Sequence, residues 1–144
     1  MKAISIRAPW WWFILHAGKD IENRPTEWKH RGPILLHASK WWNENEAYEN
    51  FKAATRMWLL ADPSRLVDSA LPEWNDLRFK MKALGGHVVG QADLYGSVRS
   101  SKSPWFNGPC GLLLRDAKTF AKPFPARGYL FPFEVPDELV REAA

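Results

Sequence analysis

The stretch Lys19-Asp20-Ile21-Glu22-Asn23-Arg24 sets four charged side chains between two strongly apolar runs. Pro9-Trp10-Trp11-Trp12-Phe13-Ile14-Leu15-His16-Ala17-Gly18 leads into it, and Gly32-Pro33-Ile34-Leu35-Leu36-His37-Ala38-Ser39 follows. Both runs must be buried, and the charge between them travels to the place where they meet. Charge held between hydrophobic elements is how a small domain builds a ligand pocket. The remainder of the chain then reads as wall, lid and brace for that pocket.

With 144 residues the chain is read as one domain, 1–144, long enough to bury a substantial core. An apolar fraction of 46% with 25% charge excludes wholesale disorder. Nine tryptophans exceed what such a core needs. Most fill it, and some are expected on a binding surface, where the ring offers an apolar face and one polar handle. The net charge of +4 is unevenly spread. Residues 1–40 carry seven Lys/Arg against three acids, residues 41–84 six against seven, and residues 98–127 six against one. Two basic zones around a neutral one point to a phosphate-bearing or polyanionic partner. Cys110 is the only cysteine, which excludes an internal disulfide and fits a reducing compartment. The apolar run after Arg7 imitates a secretion signal, but it contains Pro9 and lacks a small-residue cleavage site. No stretch is long enough to span a bilayer. The expectation is a cytoplasmic protein without a membrane or an obligate protein partner.

Ala3 to Arg7 alternates as a short strand with Ile4 and Ile6 inward. Pro9 opens a helix with Trp10, Phe13, Ile14 and Ala17 on one face, and Gly18 ends it. Ile21 then marks a strand edge presenting Asp20, Glu22 and Arg24 together. On such a strand Lys19 and Glu22 face opposite ways, so their cooperation requires Lys19 to belong to the preceding turn. Ile34 to Ala38 is a buried strand, with Leu35, His37 and Ser39 on one side and Ile34, Leu36 and Ala38 on the other. Asn43 with Glu46 caps a helix whose apolar face holds Ala47, Phe51, Ala54 and Trp58. A second helix from Pro72 stacks Trp74, Leu77, Met81 and Leu84 and stops at Gly85-Gly86. His87 to Val98 is a long strand in which Gly90 and Gly96 mark bulges or bends. Cys110 to Leu114 is a further strand, Lys122 to Pro125 a connector, and Tyr129 to Val135 the strand that closes the sheet. The tail from Asp137 reads as a frayed helical turn.

Lys19, Glu22 and Arg24 are the candidate catalytic residues: a partly desolvated lysine near other charge serves acid–base work or phosphate neutralisation. His37 and Ser39 extend this site, with His37 either a proton carrier or a bonded core residue. Trp28 with Lys29, His30 and Arg31 is aromatic beside basic, the composition of a nucleic-acid contact. Trp105 with Phe106 and Lys102 is a second such group, and Trp10 completes the binding set. The histidines show no metal-ligand spacing and no cysteine pair exists, so no structural metal is expected. A weakly held Mn²⁺ or Mg²⁺ on Asp20, Glu22 or Asp93 fits only a nuclease.

These residues resemble the ASCH domains, relatives of the PUA-like RNA-binding barrels. Three stretches carry the resemblance. One is Ile4-Ser5-Ile6-Arg7-Ala8-Pro9-Trp10 with Gly18-Lys19-Asp20-Ile21-Glu22-Asn23-Arg24, similar to the family's G-K-x-x-E-x-R signature. The others are Gly32 to Ser39, and Ser103-Pro104-Trp105-Phe106-Asn107-Gly108-Pro109 with the strand after it. The resemblance implies an α+β fold: a mostly antiparallel β-barrel with the N-terminal helix across one opening, here carrying a helical insert. It further implies single-stranded RNA binding, ribonuclease activity, or removal of acyl groups from N4-acylated cytidines. Two positions depart from the pattern. Ala8 stands where many members have Gln, and Glu22 stands where the family's amidohydrolases have a Thr nucleophile. The leading expectation is therefore recognition of single-stranded RNA or a modified nucleotide in the Lys19/Glu22/Arg24 cleft, with RNA hydrolysis as its extension. An N4-acylcytidine-type amidohydrolase and a non-catalytic RNA-binding adaptor are the alternatives.

Overall fold

A computed structural model describes residues 1–144. In chain order the elements are β1 (Lys2–Ile6), α1 (Trp10–His16), β2 (Ile21–Arg24), β3 (Gly32–Ala38), α2 (Glu44–Ala61), α3 (Arg65–Asp68), α4 (Trp74–Leu84), β4 (His87–Val98), β5 (Cys110–Pro125), β6 (Phe133–Glu134) and α5 (Asp137–Ala143). This is an α+β fold built on one six-stranded mixed sheet in the order β2-β5-β4-β3-β1-β6. Only β1 and β3 run parallel, with Ser5 beside His37; the other pairings are antiparallel. No helix is long and apolar enough to cross a membrane.

The sheet does not close into the expected barrel; β2 and β6 remain free edges. Sequence explains why. β2 has four residues and runs into Pro25, and β6 has two, flanked by Pro132 and Pro136. Proline supplies no N–H, so neither edge can extend a ladder to the other. A side chain spans part of the opening instead: Arg24 Nη2 on β2 donates to the Ser5 carbonyl on β1 at 2.8 Å.

The long strands β4 and β5 curl through three register shifts, between Val88 and Gly90, Gln91 and Asp93, and Leu94 and Gly96. The two glycines are thus bulge positions, as their placement predicts. One face of the sheet buries Ile4, Ile6, Ile34, Leu36 and Ala38 against Trp11 and Ile14 of α1 and Leu77 and Met81 of α4. The opposite face packs Ala3, Leu35 and Phe120 against Phe133, Val135, Val140 and Ala143 near the C-terminus. A third cluster joins Phe13, Ala17 and Ile21 to Ala54 and Trp58 of α2 and to Trp105. The helical insert is therefore held directly against the sheet by α4 and against α1 by α2. At the start of α2 the Asn43 side chain accepts from the Glu46 amide at 2.9 Å, the expected cap.

Four local expectations change. In α1, Trp11 rather than Trp10 is buried, because the helix begins at Trp10 and its phase turns that ring outward. Lys122–Pro125 is no connector but the end of β5, where Phe124 faces Val88 and stacks near Phe120. Residues 126–132 form a loop rather than a closing strand, confined by Pro132. The tail is a formed helix, because Val140 and Ala143 have a core to enter.

Candidate functional site

α1 ends in a tight reversal. Gly18 takes φ +74°, and the amides of Ala17 and Lys19 both donate to the Phe13 carbonyl, at 3.0 and 3.1 Å. Lys19 thus belongs to the turn and not to the strand, which brings its side chain to the same side as Glu22. Its Nζ lies 3.4 Å from Glu22 Oε1, donates to the Ile21 carbonyl, and sits 5.6 Å from the Trp10 ring centre. Arg24 approaches the other carboxylate oxygen, with Nη2 at 3.0 Å. Beneath the guanidinium lies the Trp28 ring, 5.3 Å away. Lys19 is only 3% exposed and Glu22 8%. Burial pushes the Lys19 ammonium below its ordinary pKa, while the Glu22 carboxylate pulls it back up.

This cluster borders a cleft of about 1350 Å³. Trp10, Glu22, Arg24, His37 and Ser39 line it; Lys19 does not, being packed behind Glu22. Arg7, Lys40, Trp41, Arg127 and Tyr129 also line it, and none of these was named as a binding residue from sequence. Their signal was basic–aromatic adjacency in Lys40-Trp41 and Arg127-Gly128-Tyr129, obscured in the second because Tyr129 reads as the start of a strand. Arg7 stacks over Trp41 at 4.2 Å and Arg127 over Tyr129 at 5.2 Å. Glu22 is the only carboxylate on the cleft wall, and it is already paired.

Other predicted binding residues lie elsewhere. Trp105 is buried against Phe13, with ring centres 6.0 Å apart, and its carbonyl accepts from the Asn23 side chain. Asn23 also accepts from the Asn107 and Gly108 amides, so it ties the 105–108 loop to β2. Trp28 is buried under Arg24. Lys29 is exposed away from the cleft, and Arg31 pairs with Glu27 on its own loop. Asp93 pairs with Arg115, and no three His, Cys, Asp or Glu side chains group as metal ligands.

His37 forms the cleft floor, 1% exposed. Nε2 lies 2.7 Å from the Ala126 carbonyl, which only accepts, so Nε2 carries the proton. Nδ1 then accepts from the Ser5 hydroxyl at 3.0 Å. Both nitrogens are used, which makes the ring a pin between β1, β3 and the 126–132 loop. Burial pushes its pKa below the ordinary histidine value, with His87 a smaller contribution in the same direction. Below pH 6.5 the unfolded chain then binds the proton more readily than the folded one, so this part of the stability is lost as pH falls. Melting curves from pH 8 to pH 5 should show wild type losing more stability than His37→Gln. Parallel losses would show that His37 is not the titrating group.

No protein-family model matches the chain, and no curated protein matches it.

Proposed function

We propose that the chain is an ASCH-type, PUA-like protein with an opened barrel, and that it binds single-stranded RNA or a modified nucleotide in the cleft. The observation that carries this reading is the make-up of the wall. Trp10, Trp41 and Tyr129 stand among Arg7, Arg24, Lys40 and Arg127, with one carboxylate that is internally neutralised. Single-stranded recognition uses aromatic faces for bases and cations for phosphates. In this reading Trp10 stacks the base and Arg24 meets a phosphate. Glu22 accepts a hydrogen bond from the base or a ribose hydroxyl, and Lys19 holds the Glu22 carboxylate in place from behind. If catalysis occurs, Glu22 is the group that orients the attacking water, on RNA or on an N4-acyl cytidine.

The test titrates fluorescent single-stranded RNA into wild type, Trp10→Ala and Arg24→Ala. Loss of one stacking ring costs about 1–3 kcal/mol, so Trp10→Ala should weaken binding at least fivefold. Arg24→Ala should weaken it and flatten its salt dependence. The same preparations are incubated with RNA, with and without Mn²⁺, and with N4-acetylcytidine. RNA shortening abolished by Glu22→Gln assigns a ribonuclease, and acyl release abolished by it assigns the amidohydrolase. Absence of both reactions with intact binding leaves a reader. Wild type that neither binds nor reacts overturns the proposal.

A further inference from the structure

The cleft continues past the Glu22 cluster. Ser5 on β1 pairs with His37 on β3, His37 with Val88 on β4, and His87 faces Pro125 on β5. The floor therefore crosses three strand spacings, about 14 Å. At its far end lie Lys40, Gly85, Gly86, His87 and Arg127. Neither Lys40 nor Arg127 makes an ion pair, whereas Arg24 is committed to Glu22. His87 Nδ1 donates to the Gly85 carbonyl, which occupies one ring nitrogen only.

Three hydrogen bonds preset this end. Gly86 N–H donates to the Ala38 carbonyl at 2.8 Å, and the Gly86 carbonyl accepts from the Ala126 amide at 3.0 Å. The Ala126 carbonyl accepts from His37. Gly86 has φ +83°, where any side chain would be strained, and the Lys40 stem lies against it. Gly128 closes on the pin so tightly that an added Cβ would fall 2.6 Å from His37 Cε1. The loops carrying Lys40 and Arg127 are thereby fixed to one another before any ligand arrives.

We infer that Lys40, His87 and Arg127, held in place around the Gly85-Gly86 turn, form an anion subsite for the RNA backbone flanking the nucleotide at Trp10. The inference rests on the RNA reading of the cleft and deepens it: the ligand is a polynucleotide strand crossing the sheet, not a free nucleoside. Fixed, unneutralised cations at one end of an aromatic cleft recognise a sugar–phosphate chain whatever its bases.

The experiment measures binding of a mixed-sequence RNA hexamer across a salt series. It compares wild type, Lys40→Ala/Arg127→Ala, Arg24→Ala, and a charge-matched control, Lys118→Ala/Lys122→Ala, whose exposed lysines lie outside the cleft. The Lys40/Arg127 variant should bind about tenfold more weakly at low salt. Its log–log salt slope should shrink by about 0.7–1.4, one or two phosphate contacts on a single strand. The control should bind like wild type. A Lys40/Arg127 variant that matches the control overturns the subsite, and if Arg24→Ala still weakens binding the RNA reading survives it. Failure of wild type to bind the hexamer overturns both. Unchanged circular dichroism excludes misfolding as the cause of any loss.

Discussion

Glu22→Ala should lower the melting temperature by about 10 °C and abolish RNA binding. The carboxylate lies between Lys19 and Arg24. Arg24 keeps the Ser5 carbonyl and the Trp28 ring when it goes, but Lys19 keeps only the Ile21 carbonyl and a distant ring face. Removing one partner of a buried pair leaves an uncompensated charge and costs about 3–5 kcal/mol. For a domain of this size that is a large share of the total stability, and each kcal/mol moves the midpoint by about 2–4 °C. The double variant Glu22→Ala/Lys19→Met removes the stranded charge and should regain most of the loss. The pH response supplies an independent check. Burial holds the folded Lys19 pKa below its unfolded value, so between the two the unfolded chain binds more protons and stability rises with pH. Glu22→Ala removes the main group opposing that shift. The single variant should therefore become more stable as pH climbs toward 10.5, the ordinary lysine value, and the double variant should not. A double variant as unstable as the single would mean that the cost comes from lost packing rather than from stranded charge.

The position of this charge in the fold was legible because the local rules agree. Apolar runs flank it, Gly18 permits the reversal, and strand alternation then requires Lys19 to lie in the turn if it is to meet Glu22. The hydrogen bonds to Phe13 meet that requirement. The two faces of β3 and the Asn43 cap were equally readable, each being fixed within a few residues. Closure was not legible. A barrel depends on whether the first and last strands can pair, and here proline limits both edges, an effect seen only once the strand order is known. The cleft wall failed for a related reason. Lys40, Trp41, Arg127 and Tyr129 come from loops far apart in sequence, brought together by the β3–β4 and β4–β5 pairings. Trp105 erred the other way. An aromatic in a turn-rich loop reads as exposed, but the Asn23 tether folds that loop inward and buries the ring.

Those pairings put unusual weight on one glycine, and Gly90→Ala is the second change with a large expected effect. Gly90 sits where Val88 faces Phe124 but Gly90 itself faces Thr119, so β4 and β5 cross closely at the bend. A Cβ there would lie 2.4 Å from the Lys118 carbonyl oxygen and 2.7 Å from Leu15 Cδ2. The leucine can turn away; the carbonyl belongs to the β5 backbone and cannot move without breaking the crossing. Inserting a methyl into a packed core ordinarily costs about 1–3 kcal/mol, and a backbone clash places this case at the upper end, about 3 kcal/mol. Gly111→Ala is the informative contrast. An added Cβ there meets only the Ile21 and Phe106 side chains, at 2.8 and 2.9 Å, so its cost should be smaller. Enlarging the space with Leu15→Ala should fail to rescue Gly90→Ala, because the carbonyl remains. Urea unfolding of Gly90→Ala, Gly111→Ala, Leu15→Ala and the Leu15→Ala/Gly90→Ala double variant gives the ranking directly. Rescue by Leu15→Ala would show that side-chain crowding, and not the approach of two strands, makes glycine necessary. Because this bend also sets His87 opposite Pro125, Gly90→Ala should weaken hexamer binding even where enough protein remains folded to measure it. A variant that is destabilised but binds with wild-type affinity would separate the curvature of the sheet from the shape of the cleft.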